Sequence, residues 1–510
     1  MYDLIIKNGT VIDGTGDSAY VSDIAISGGK IARISSDING DRIIDAKGLA
    51  VTPGFIDSHS HADDAMLEYP DMIEKIEQGI TTSIAGQCGI SCVPAKNKEY
   101  GSGRAQDKYE TFGKMVSTVK SIEMGANIMS FVGHGTIRKA VVGYENRKPT
   151  ENELKEMKAL LRDAMESGAV GISYGLIYTP GCYADTDELT ELARVVKEYN
   201  GVISAHIRSE AFELKEAAEE FLNIVKAVGV KAVLSHHKAM YKSNWGKVRH
   251  TLKMIDEAVS EGCDVYCDVY PYTASHTTLV STIIPPHIRA LDNEGIARLV
   301  CEPEMRKKIK EEYIAVYGPD LSYIRISHAE GHPEYDGMAL DGLARQRAQD
   351  PFDTAFDIIR DCGAEVYVSK FVMCEDDVEA VIAHKRAMIG TDSSVAKGDA
   401  VYHPRLRGTF PRAFGRYVRE RRIVSLEEMV RKCTSMPAAV YGLPSKGLIK
   451  EGYDADICIF DADRIADKAD FSDCRRRCEG LSYVILGGEV VAVDAVYNGI
   501  KKGGFLQRKV

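Results

Sequence analysis

The chain has 510 residues, 45% hydrophobic and 27% charged, a balance that excludes a disordered or fibrous protein and a length beyond one ordinary domain. Lysine and arginine number 64 against 75 aspartates and glutamates, a net charge of −11, which argues against a nucleic-acid-binding surface spread over the whole chain. Nowhere do about eighteen apolar residues follow one another, so no helical membrane span is expected. The opening run puts Asp3 where an export signal wants positive charge. Twelve cysteines over this length are too sparse for a disulfide framework. The expectation is a cytoplasmic protein with reduced thiols.

The first fifty residues read as short strands between turns: Asp3 to Gly9, Ser22 to Gly29 and Lys30 to Ser35 alternate apolar and polar positions. From residue 54 the texture changes to apolar runs with polar tails. They are GFIDSHSH (Gly54 to His61), TTSIAGQC (Thr81 to Cys88), NIMSFVGHG (Asn127 to Gly135), AVGISYGL (Ala169 to Leu176) and GVISAHIR (Gly201 to Arg208). KAVLSHHK (Lys231 to Lys238), DVYCDVYPY (Asp264 to Tyr272) and AMIGTDSS (Ala387 to Ser394) continue the series. Between them, segments such as Glu151 to Gly168 and Glu191 to Asn200 space their apolar residues as amphipathic helices do. Eight strands alternating with helices predict an α/β fold, a TIM-like (β/α)8 barrel over 52–439. Ile324 to Ala329 and Glu365 to Phe371 also read as strands; they spoil the count, so an insertion is expected around 285–361. Strand texture returns at Gly452 to Asp461 and Tyr483 to Asp494. The two chain ends, 1–51 and 440–510, are therefore expected to build one small β-sandwich domain.

Chemistry concentrates in the polar tails. His59, His61, Cys88, His206, His236 and Asp392 stand at the C-terminal ends of candidate strands, the first two sharing one. In a barrel those ends converge on one mouth. Histidine, cysteine and aspartate are also the side chains that hold zinc-like ions. Singly, each has a plain structural reading: a core histidine, a buried thiol, an N-cap in the Thr-Asp-Ser-Ser run of Asp392. Six such coincidences within one pattern are not explained that way.

Several longer stretches narrow the reading. GFIDSHSHAD (Gly54 to Asp63) resembles the opening motif of the amidohydrolase superfamily, and KEGYDADICIFD (Lys450 to Asp461) its small composite domain. AGQCGIS (Ala85 to Ser91), FVGHGTIR (Phe131 to Arg138), GAVGISYGLIYTPG (Gly168 to Gly181), IGTDSS (Ile389 to Ser394) and HPRLRGTFPR (His403 to Arg412) resemble the N-acyl-D-amino-acid deacylase (D-aminoacylase) family, in the expected order. The resemblance implies a metal-dependent hydrolase of N-acyl-D-amino acids, small molecules cleaved to a carboxylic acid and a free D-amino acid. It also implies that the bridging carboxylated lysine of other amidohydrolases is replaced by a cysteine, here Cys88. Cys88, His206 and His236 would then hold one tight Zn2+, while His59, His61 and Asp392 face a second, weaker site. Asp392 would be the catalytic proton carrier. By the same resemblance Lys238, Tyr272 and Arg405 would clamp the substrate's α-carboxylate, with Tyr178 at the pocket wall and His134 and His237 orienting ligands. Cys92 has no assigned role, and Ser275-His276 departs from the small residues usual after Tyr-Pro-Tyr-Thr-Ala. Cyclic-amide hydrolysis, deamination or ester hydrolysis on the same barrel is the alternative, although Glu210 follows His206 at four residues rather than the three a deaminase uses. A non-enzymatic relative is the third class. Nothing in the sequence sets the oligomeric state.

Overall fold

A computed structural model describes residues 2–95, 109–289, 291, 293–363, 366–395 and 403–508. Both chain ends enter one nine-stranded sheet. From the N-terminal side come Leu4–Val11, Tyr20–Ser27, Lys30–Ser35, Ile43–Asp45 and Ala50–Pro53; from the C-terminal side come Ile457–Phe460, Leu481–Leu486, Glu489–Val493 and Val496–Tyr497. The halves join where Ile457–Phe460 runs antiparallel to Ala50–Pro53, with Ile457 opposite Pro53 and Phe460 opposite Ala50. Ile6, Ile24, Ile26, Val51, Ile457, Ile459 and Ile485 pack into one cluster across that seam. β-Branched residues suit this place because they fill a pleated, half-covered surface at little entropic cost.

The central segment carries two parallel sheets. One has the order Val132–Gly133, Gly171–Gly175, Val202–His206, Lys231–Leu234, Val265–Val269, Ala387–Ile389; the other has the order Phe55–Asp57, Ile80–Ala85, Asn127–Ser130. Their edges are hydrogen-bonded to each other at both ends. Ser58 N donates to Ile389 O at 3.2 Å and Asp392 N to His59 O at 2.8 Å. On the opposite edge Val170 N donates to Ser130 O at 3.0 Å. The strands are buried end to end, as parallel strands covered by crossover helices must be.

The helices between them start and stop on local signals. Thr150 and Glu153 form a reciprocal cap at the head of Glu151–Glu166. Asp185 caps Thr186–Glu198 by accepting from Glu188 N. Periodicity alone places that helix five residues late, at Glu191, because its first turn is polar and only the cap marks it.

The extra strands have their own sheet. Ser275–Thr278, Val366–Lys370 and Ile324–Ala329 pair antiparallel, in that spatial order. Leu279, Ile283, Ile309, Ile324, Ile326, Phe352, Phe356 and Val368 form a separate core beneath helices Pro303–Tyr317 and Pro351–Cys362. This unit runs from Ser275 to Lys370, wider than the expected 285–361, because its flanking strands read like any others from sequence. Glu365, the first residue of one expected strand, lies outside the described residues.

Candidate metal centre

The six expected ligand residues converge, and the backbone is bent to make them do so. Cys88, His236 and Asp392 all have left-handed φ, at 56°, 33° and 48°. For a residue with a Cβ each such conformation costs on the order of 1 kcal/mol, and such costs gather at functional sites. Glycines make room for the first of these turns. Gly86 and Gly89 flank Cys88 with φ of 71° and 72°, and a Cβ on Gly89 would stand 2.5 Å from Gly175 N.

One donor atom from each of His59, His61, Cys88 and Asp392 falls within a common 4.8 Å, and so does one from each of Cys88, His206 and His236. The thiol is shared by both groups. Cys88 Sγ lies 3.3 Å from His59 Nε2 and 3.1 Å from His236 Nε2. Asp392 Oδ1 is 3.1 Å from His61 Nε2 and 3.5 Å from His59 Nε2. His206 is buried, and neither ring nitrogen makes a hydrogen bond, although Glu210 Oε2 stands 3.3 Å from Nε2.

The rings are turned by carboxylates behind them. Asp268 contacts His59 Nδ1 at 3.1 Å and also accepts from the His236 backbone N–H at 2.7 Å. Glu210 Oε1 contacts His236 Nδ1 at 2.9 Å. Lys238 Nζ lies 2.5 Å from the same Glu210 oxygen and 2.7 Å from His236 Nδ1. With a proton on His59 Nδ1, shared with Asp268, the Nε2 lone pair of that ring faces the thiol, the tautomer a metal needs.

Charge follows the crowding. Burial pushes the Cys88 thiol up, but His236 and His59 outweigh it and hold the group well below the usual thiol range. Asp392 is treated alike: burial raises it, while Arg405 first and His236 next bring it well below the carboxylate range. Arg405 Nη1 lies 2.7 Å from Asp392 Oδ2 in an almost fully buried pair. A buried thiolate, a carboxylate and four imidazoles, one of them the His206 ring without a hydrogen bond, together fit a zinc-like cation.

The other expected residues divide. Lys238 and Arg405 stand beside the cluster, both against the Tyr270 ring, 5.5 and 4.8 Å from its centroid. Tyr178 packs edge-on against His206 at 5.1 Å. Tyr272 is not brought to the cluster: its hydroxyl lies 3.3 Å from Asp467 Oδ2 and 3.4 Å from Pro404 O, and Arg412 covers its ring. His134 bonds Glu188 at 2.8 Å and His237 bonds Thr251 at 2.7 Å. Neither ring orients a cluster residue, which corrects the expectation for both; helices on the outer side claim them. Cys92 rests against Met115. His276 stacks on Tyr367 in the inserted sheet, and burial, helped by Arg405, pushes it down to about 3, so the ring is neutral.

Sequence reasoning missed the orienting pair Asp268 and Glu210. Both carried a signal, since Asp268 sits one place before the end of Val265–Val269 and Glu210 four residues after His206. It also missed Lys75. This fully buried lysine donates to Asp57 Oδ2 and Thr391 Oγ1, both at 2.9 Å, and to Ser393 O at 3.0 Å. It thereby ties the strand end that carries His59 to the one that carries Asp392.

Relatives are found over the whole chain. The amidohydrolase family matches residues 42–492. A D-aminoacylase of Alcaligenes xylosoxydans xylosoxydans is 34% identical, covering 99% of this chain and 98% of its own. An N-acyl-D-glutamate deacylase of the same organism is 36% identical over 97% and 94%. The crystal structure of N-acyl-D-glutamate deacylase from Bordetella bronchiseptica, complexed with zinc and a phosphonate mimic of the tetrahedral intermediate, superposes with a TM-score of 0.85 at 33% identity, covering 99% of both chains. With its α/β fold, its strand-end cluster and these full-length matches, the chain belongs to the amidohydrolase family, in the subset formed by the D-aminoacylases.

Proposed function

We propose that this protein hydrolyses the amide bond of N-acyl-D-amino acids, releasing a carboxylic acid and a free D-amino acid. The observation that carries this reading is the joint placement of a Cys88–His206–His236 donor set and an Asp392–Arg405 pair at one group of strand ends. The D-handedness follows the relatives' substrates. We read the parallel strands from Phe55–Asp57 to Ala387–Ile389 as a closed TIM-like barrel, 52–439, since each edge already donates to the other. The chain-end sheet is read as a composite β-sandwich domain of 1–51 and 440–510. All twelve cysteines are free, which supports a reducing, cytoplasmic setting.

Cys88, His206 and His236 would hold one tight Zn2+, and His59, His61 and Asp392, with Cys88 shared, a weaker second one. When bound, zinc polarises the amide carbonyl and acidifies water. Asp392, ionised and aimed at the same space, accepts the water's proton and returns it to the leaving nitrogen as the C–N bond breaks. Arg405 can exchange Asp392 for the substrate's α-carboxylate, freeing the base as it anchors the substrate. Lys238, held by Glu210, adds a second positive charge at that end. Tyr178 borders His206 and shields the site from water.

The test compares N-acetyl-D- and N-acetyl-L-amino acids, and the N-acyl amine lacking the carboxylate, on the zinc-loaded protein. Turnover of the D-enantiomer alone is expected. Arg405→Ala should lower kcat/KM for that substrate by roughly 30- to 1000-fold, as expected when one charge of a buried pair is removed. It should leave the poor hydrolysis of the amine little changed. Equal turnover of the acid and the amine by the unmutated protein would overturn the reading.

A further inference from the structure

Lys75 is fully buried and takes no part in the chemistry proposed above. It rises from the short helix Ile73–Ile76, and its Nζ faces four acceptors. Asp57 Oδ2 and Thr391 Oγ1 lie at 2.9 Å, Ser393 O at 3.0 Å and Ser393 Oγ at 3.3 Å. These acceptors belong to two strand ends. Phe55–Asp57 runs on to His59 and His61, and Ala387–Ile389 runs on to Asp392.

The same groups also grip the backbone of the cluster residues. Asp57 Oδ1 accepts from His59 N at 3.3 Å and from Thr391 N at 2.8 Å. Ser393 O accepts from His61 N at 3.0 Å. Thr391 and Ser393 flank Asp392, whose left-handed φ of 48° is of the kind that persists only where the surroundings over-determine it. A lysine suits this place, since its three N–H groups can spread over acceptors from separate segments. The other half of the cluster is fixed from elsewhere. Ser173 Oγ accepts from Gly89 N at 3.0 Å and donates to Gly86 O at 2.5 Å, holding the turn of Cys88, while Asp268 and Glu210 hold His236.

We infer that Lys75 is a positioning residue for one half of the cluster. It sets the spacing of His59, His61 and Asp392, and with it the affinity of the weaker cation site and the aim of the proton carrier. The Cys88–His206–His236 site does not depend on it. The part that concerns proton transfer rests on the deacylase reading; the part that concerns cation affinity does not.

The bland alternative is that Lys75 only neutralises Asp57, its partner in a fully buried pair. The test therefore compares the unmutated protein with Lys75→Met and with Lys75→Met combined with Asp57→Asn. Removing one member of a buried pair is strongly destabilising, whereas removing both is often neutral, so the double variant should melt close to the unmutated protein. Both variants should keep one equivalent of zinc tightly bound. Affinity for a second equivalent, read by equilibrium dialysis, should fall about 10- to 100-fold. With one zinc loaded, kcat on an N-acetyl-D-amino acid should fall by a similar factor, with KM little changed. A double variant that recovers stability, second-zinc affinity and kcat together would make Lys75 a counter-ion only and overturn the positioning role. Equal weakening of both zinc equivalents, or an unmutated protein that takes up no second zinc, would overturn it too. Thr391→Val, which removes one acceptor and no charge, serves if the lysine variants fail to fold. It should weaken the second zinc by a smaller factor, and unchanged affinity would again overturn the role. Weaker second-zinc binding in a protein that hydrolyses no N-acyl amino acid in any form would sink the deacylase reading and leave the positioning role standing.

Discussion

Asp392 is the residue at which structure and chemistry diverge most sharply in what a substitution would do. Its side chain meets His61, His59 and Arg405, and its backbone N–H is fixed by His59 O. Asp392→Asn keeps the shape and the backbone bond but cannot carry a proton. The expected outcome is a folded protein that retains tight zinc, with kcat lowered by about two orders of magnitude or more. Normal turnover, measured against zinc content on the same sample, would move the base elsewhere. Cys88 should behave differently, because its sulfur is common to both halves of the cluster and as a ligand would supply charge and a soft donor. Cys88→Ala should strip most zinc and activity together. Full zinc by elemental analysis would contradict the ligand assignment.

At the scale of elements, the site depends on helices that never touch it. Glu188, in the first turn of Thr186–Glu198, binds His134 and Arg138 of the helix His134–Val141. Burial raises its carboxyl, yet His134 and Arg138 outweigh burial and hold it below the usual range. A depressed carboxylate adds stability above its unfolded pKa, near 4.3, and loses it as pH falls through the folded value. The unmutated protein should therefore lose melting temperature as pH drops below about 4. Glu188→Gln should be destabilised by ~3 kcal/mol at neutral pH, since Arg138 is left buried and uncompensated. Its acid limb should be the shallower of the two, read from thermal melts across pH 3 to 7. Parallel curves would assign the acid sensitivity to other groups.

Over the whole molecule, the cluster draws residues from position 59 to position 392 and the chain-end sheet draws them from 4 to 497. A cation bound only by the folded state stabilises it by mass action, about 2.7 kcal/mol at a hundredfold excess over Kd. Chelation should accordingly lower the melting temperature by several degrees, and zinc should restore it. No change would mean that the six residues do not bind metal in the folded protein.

Much of this was legible in the residues. The alternation of apolar runs and amphipathic helices gave the parallel strands, because strand and helix periods are local properties of the chain. His59, His61, Cys88, His206, His236 and Asp392 stood out because parallel topology sends strand ends to one side whatever the loops do. Other features needed the tertiary structure. Ile324–Ala329 and Val366–Lys370 have the same pattern as the central strands, and only pairing partners tell an antiparallel insertion from a parallel strand. Asp268 and Glu210 stand near strand ends in the sequence, but only the folded chain shows that Asp268 faces His59 and Glu210 faces His236. Tyr272 was expected at the substrate and lies with Asp467, since a ring's direction is set by what packs around it. Sequence by itself determined which side chains could do the chemistry; tertiary structure decided which carboxylate faces which ring and which strand ends Lys75 fastens together, because these depend on contacts between residues hundreds of positions apart.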